Sequence, residues 1–115
     1  MTDIIQASRE LAETIAAELQ QCSALVREGK KEEFRKSFLS LLDKTHNFVG
    51  LIAALEKSRE QGLRFQPLAD ALQERTREIL LVNSSGNMQL LADIMQYELV
   101  PLFESWPGVV RAVLN

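Results

Sequence analysis

Phe34, Phe38, Leu41, Thr45, Phe48, Ile52 and Leu55 recur by alternating steps of four and three. Residues at those steps stack on one side of an α-helix, whereas a strand would alternate at every second position. Leu42 and Val49 lie beside the stripe and widen it. The face is then broad enough to pack against two neighbours at once, as an inner bundle helix does. The spacing predicts this helix from about Lys30 to Gln61, closed by Gly62, a rod roughly 45 Å long at 1.5 Å per residue.

Three more segments share the period. Ile5, Ala12, Ile15, Leu19, Cys22 and Val26, flanked by Leu11 and Ala16, predict a first helix. Asp3 followed by Gln6 has the spacing of a capping box, which would start it, and Gly29 in "VREGKK" supplies the left-handed residue that would end it. Pro67 suits the first turn of a third helix, where its missing N–H has no partner in any case. Leu68, Leu72, Thr76, Ile79 and Asn83 carry that stripe, Leu80 to Val82 make its end apolar, and "NSSGN" (83–87) reads as a turn. The fourth helix has its stripe at Met88, Leu91, Met95, Leu99, Leu102 and Trp106.

Proline interrupts that last helix. Pro101 cannot donate to the Tyr97 carbonyl and its ring crowds it, so the helix is expected to kink or tighten there. Pro107-Gly108 reads as a stop. The tail "VVRAVLN" is apolar at five of seven positions, and it must dock on the bundle or pair with a second subunit.

Short first and third connections force neighbouring helices antiparallel. The prediction is an all-α fold: one domain over residues 1–115, an antiparallel four-helix bundle made of two helical hairpins, with a short C-terminal helical turn. A faint internal echo fits it. With Gly29 matched to Gly86, Phe34, Phe38 and Leu42 fall on Leu91, Met95 and Leu99, so each hairpin re-enters with an apolar residue five positions past its glycine.

Composition agrees with helix and narrows the partners. A chain of 115 residues holds one core, and five Gly with three Pro leave little for the turns of an all-β fold. The 13 basic and 16 acidic residues are interspersed and sum to −3, so no positive field would draw phosphates and no nucleic-acid partner is expected. The start, "MTDIIQASRE", has no basic segment followed by an apolar run, and nowhere do eighteen apolar residues occur together. A cytoplasmic protein without membrane contact is expected.

Candidate chemistry is sparse. Cys22 sits on an apolar stripe, and a buried free thiol is the expected state. "DKTHN" puts Asp43 and His46 three apart, half of what a di-metal carboxylate bundle uses, but such sites need a second His and further Glu; this chain has one His. No strained Gly-x-Ser-x-Gly turn poises a nucleophile against His46. Asp70, Glu74 and Glu78 share one face with Arg75 and Arg77 interleaved and Arg59 and Arg64 nearby, which reads as a solvated charged face. The run "REGKKEEFRK" mixes signs in the same way. No catalytic residue, metal or cofactor is expected.

Gly50 needs a reason, since mid-helix glycine costs about 1 kcal/mol against alanine. With Ala53 and Ala54 it makes a small-residue patch, read here as a close helix crossing or, failing that, as the floor of a groove edged by His46 and Asn47. Leu90, Ile94 and Tyr97 lie off the main stripe of the fourth helix, which makes that helix apolar on two sides.

"LLADIMQYELVPLFESW", residues 90–106, resembles a C-terminal segment recurring in short, uncharacterised bacterial helical proteins: leucine-rich, Asp, an apolar pair, Tyr-Glu-Leu, Pro, an apolar pair, Glu, Trp. "REGKKEEFRKSFLSLLDKTHNFVGLIAAL", residues 27–55, is similar to their central part. The resemblance implies a small all-helical family without an assigned activity. In size and layout the chain is also similar to bacterial flagellar export chaperones.

The leading expectation is a non-enzymatic protein-interaction module, self-associating as a homodimer and docking a partner through Leu90, Ile94, Tyr97, Val109, Val110 and Val113. The alternative is a bundle that binds a small ligand or metal through His46, Asn47 and Tyr97; an export-chaperone-like protein is a further one. A pocket with converging polar groups at His46 favours the ligand, and a filled crossing at Gly50 removes it.

Overall fold

A computed structural model describes residues 2–57 and 66–114, with side chains for 4–55 and 67–111. Among the described residues six α-helices follow one another: α1 (Thr2–Arg27), α2 (Lys31–Lys57), α3 (Gln66–Ser85), α4 (Met88–Asp93), α5 (Val100–Glu104) and α6 (Trp106–Leu114), with a π-helical segment, Ile94–Leu99, between α4 and α5. Among the described residues there is no strand, and the fold is all-α. Spatially the run from α4 to α6 is the fourth rod of the bundle, bent and continued. The expected end of the second helix at Gln61 and Gly62 lies outside the described residues, as do Arg59 and Arg64.

α1 is the hub. It packs against α2 on one side and against α4, the π segment and α5 on the other, while α3 leans on α4 and the π segment. The reason is visible in its stripe: Ala12, Ile15, Ala16, Leu19, Cys22 and Leu25 are all buried, joined by Ser8 and Ser23. The helix is already under way at Thr2, ahead of the cap expected at Asp3. Gln6 donates its amide to Glu10 at 3.0 Å.

Both hairpins turn on a glycine at positive φ, Gly29 at 75° and Gly86 at 80°. At the first, Lys30 N–H donates to Leu25 O (3.0 Å) and Gly29 N–H to Val26 O (3.1 Å), the paired bonds of a Schellman ending that only a residue without Cβ adopts cheaply. The second turn is shorter than its composition suggested. α3 runs on through Asn83 to Ser85, because Ser84 and Ser85 return their hydroxyls to the carbonyls of Leu80 (3.0 Å) and Val82 (2.7 Å) and so tolerate the last turn. Asn87 then caps α4, accepting from Leu90 N–H at 3.1 Å.

The fourth rod departs most from expectation. It widens into a π segment just before Pro101. The π segment takes up the strain, and α5 restarts with Pro101 in its first turn, where no donor is missed. The buried series becomes Leu91, Met95, Leu99, Phe103 and Trp106, with Val100 beside it. Phe103 therefore takes the core place expected of Leu102, which is only half-buried. Pro107-Gly108 is no stop either. The break falls at Ser105, and Pro107 occupies the first turn of α6, the position that proline favours. α6 packs back on α1 and α5.

An aromatic cluster ties the ends together. Phe48 of α2 meets Phe103 at 5.1 Å and Trp106 at 5.3 Å between ring centroids, both edge to face. Trp106 is wholly buried; its indole N–H donates to Ser8 Oγ at 2.8 Å, and the Ser8 hydroxyl donates to Ile5 O at 2.7 Å. A second polar chain pins the start of the π segment: Ser23 donates to Ala92 O at 3.1 Å, and Arg27 to Asp93 Oδ1 at 2.8 Å and Gln96 Oε1 at 3.0 Å.

The crossing expected at Gly50 is absent. Among the described residues Gly50 and Ala53 are exposed, and a Cβ built on Gly50 meets nothing within 4 Å. Nothing in the structure explains this glycine. Gly50→Ala is accordingly expected to stabilise the protein by about 1 kcal/mol in urea unfolding; a neutral or negative change would mean that the space is occupied.

Candidate functional site

α2 packs along α1 and, through Phe48, meets Phe103 and Trp106, but it does not close against α3. Its main stripe faces α1 and the aromatic cluster, while Leu42 and Val49, the residues that broaden its face, look towards α3 across open space. The facing side chains of α3 are Leu72, Gln73, Thr76, Arg77 and Leu80, and on α2 Thr45 and His46 complete the lining. The result is a groove of about 450 Å³, inside the range of roughly 300–1,000 Å³ typical of small-molecule sites. Below it lies a small apolar void between Leu19, Phe38, Leu41, Ile79, Leu99 and Phe103, sharing Leu42, Thr45 and Thr76 with the groove. Four aliphatic side chains thus line a trough whose floor is the hydrophobic core.

Helical spacing arranges the polar groups. Gln73 and Arg77 are four apart and stack along one face of α3, with Thr76 beside them. His46, exposed on α2, faces them across the groove. The Thr45 hydroxyl donates to Leu41 O at 2.9 Å. Arg75, one position before Thr76, is committed elsewhere: it pairs with Glu78 at 2.7 Å and Glu98 at 3.3 Å, linking α3 to the π segment.

The expected ligand set is only partly assembled. His46 lines the groove, but Asn47 and Tyr97 do not; Asn47 points to solvent, and Tyr97 stands 66% exposed on the π segment. The expected docking set also divides. Leu90 is 44% exposed, whereas Ile94 (4%) and Val110 (0%) belong to the core and are not at the surface. Val109 is half-buried against the core, and the Val113 side chain lies outside the described ones. Ile94, three residues after the buried Leu91, falls on the same face of the rod, while Tyr97 stays out. Leu81, at 65%, is another exposed aliphatic that the apolar end of α3 left unplaced.

Other candidates for chemistry are structural. Cys22 is buried; loss of solvent and, second, the neighbouring Glu18 carboxylate push its thiol up to about 11, the opposite of what a nucleophile needs. Glu18 pairs with Lys44, joining α1 to α2. Among the described residues no three His, Cys, Asp or Glu side chains come together as a cation site requires, and no helix is long and apolar enough to cross a membrane.

Fold and site together define an all-helical bundle with a groove, among the described residues, between α2 and α3. The chain belongs to a family described as a domain of unknown function, DUF8042, whose model matches residues 3–108. Neither a curated protein nor a solved structure matches it.

Proposed function

We propose that the protein is a non-enzymatic binding module whose site is the groove between α2 and α3, and that its ligand is a small molecule with an apolar body. The observation that carries this reading is the gap of about 450 Å³ left between α2 and α3. Leu42, Val49 and Leu80 would be covered in a closed bundle, and here, with the buried Leu72 beneath them, they line a trough instead. Exposed clustered apolar surface is costly in water at about 25 cal/mol per Å², so an occupant that covers it is bound by the same term. Nile red, neutral and polarity-sensitive, is the direct probe. Its emission should rise and shift to the blue with the native chain. Thr76→Trp, which fills the trough from its half-buried wall, should cut that signal at least tenfold without loss of helicity. Equal signals from the two proteins would remove the groove as the site.

A second reading is favoured by Leu90 and Tyr97, apolar side chains left exposed at 44% and 66% on the fourth rod. Such residues suit contact with a protein partner, including a second copy of this chain as a homodimer. Sedimentation equilibrium should then give a dimer mass that falls to the monomer in Tyr97→Ala with Leu90→Ser. A monomer mass for the native chain at all concentrations would dispose of self-association.

A further inference from the structure

We propose that the ligand of the α2–α3 groove is an amphiphile with one apolar chain and a carboxylate head, and that Arg77 holds the head. The inference rests on the groove being a ligand site and adds to it the sign of the ligand's charge. Among the described residues nine line the groove, and of these only His46 and Arg77 are ionisable and none is a carboxylate. The chain as a whole has the reverse bias, with 16 acidic residues against 13 basic. Asp43, Glu74 and Glu78 are near in sequence but are not among the described lining residues, and Glu78 is engaged by Arg75.

Arg77 is also uncommitted, with no ion pair among the described residues, whereas Arg75 two positions before it has two. A guanidinium presents its N–H groups as a planar fork that matches the two oxygens of a carboxylate. Gln73, one turn earlier on the same face, brings a further N–H donor, and His46 faces the same space from α2. These donors lie beside Leu42, Val49, Leu72 and Leu80, so one molecule can meet donors with its head and aliphatic wall with its chain. The lined stretch of α2, Leu42 to Val49, is about 10 Å long at 1.5 Å per residue. That is short for a docked helix and suited to a single acyl chain.

The test compares three twelve-carbon probes on the full chain, each kept below its micelle concentration: dodecanoate, dodecanol and dodecyltrimethylammonium, with affinities from displacement of Nile red. Dodecanoate is expected to bind at least about tenfold more tightly than the cation, since hydrogen bonds to charged groups contribute roughly one to two powers of ten. Arg77→Gln should erase that preference and leave dodecanol unchanged; Arg77→Lys, which keeps the charge but not the fork, should restore part of it. Thr76→Trp should weaken all three. Equal binding of the three probes by the native chain would overturn the carboxylate inference while leaving the groove as a binding site. If neither Nile red nor any of the probes binds, both readings fail together.

Discussion

Trp106→Ala is expected to lower the free energy of unfolding by about 3–5 kcal/mol, the range for removing a large buried aromatic side chain. Against a total of about 5–15 kcal/mol for an ordinary domain, that is enough to leave the variant marginal. Three roles converge on this side chain. It fills the core completely, it meets Phe48 edge to face, and its N–H reaches the buried Ser8. The roles can be separated. Trp106→Phe keeps a ring against Phe48 and leaves Ser8 still donating to Ile5 O, so it should cost much less, about 1–2 kcal/mol. Ser8→Ala takes the acceptor from a buried indole and should cost about 1–3 kcal/mol. Urea unfolding followed by far-ultraviolet dichroism measures all three. A loss below 1 kcal/mol for Trp106→Ala would mean that α6 does not dock as described.

The helices were legible because burial on one side enforces a 3.6-residue period, and α1 and α2 obey it without interruption. Phe34, Phe38, Leu41, Phe48, Ile52 and Leu55 are all in the core. The two hairpin glycines were legible for an equally local reason, since a left-handed residue is required there. What was not legible depends on distances between helices. Leu42 and Val49 announce a second apolar contact for α2, but no periodicity says whether a neighbour fills it or leaves a groove. Gly50 shows the converse failure: a small residue permits a close approach and does not compel one. Pro107 has the same local chemistry at a stop as in a first turn, and the docking of Val110 on the core decides for the turn. Ser8 and Ser23 are absent from the apolar stripe that periodicity picks out on α1, yet each is buried with its hydroxyl on a carbonyl.

The fourth rod allows a sharper test, because its irregularity can be traced to one residue. Its buried series Leu91, Met95, Leu99, Phe103, Trp106 and Val110 steps by four, four, four, three and four. On a regular helix, three successive steps of four drift round the axis and carry Phe103 off the face. The π segment, with i to i+5 bonding such as Val100 N–H to Met95 O, absorbs the extra residue and keeps the series in line. Deleting Tyr97, which is exposed and contributes nothing to the core, would leave steps of four, three, four, three and four, the ideal α pattern. The deletion should therefore fold into the same bundle with the π segment gone. It should nonetheless lose about 3 kcal/mol, because Pro101 would leave the first turn of α5 and enter the interior of a continuous helix. Adding Pro101→Ala to the deletion should recover most of that loss, while Pro101→Ala alone in the native chain should change stability by less than about 1 kcal/mol, its first-turn position being one that proline tolerates. This non-additivity, read from urea midpoints of the four proteins, separates a proline housed by the π segment from one that merely sits near it. Equal effects of Pro101→Ala with and without Tyr97 would show that the wide turn serves something other than the proline.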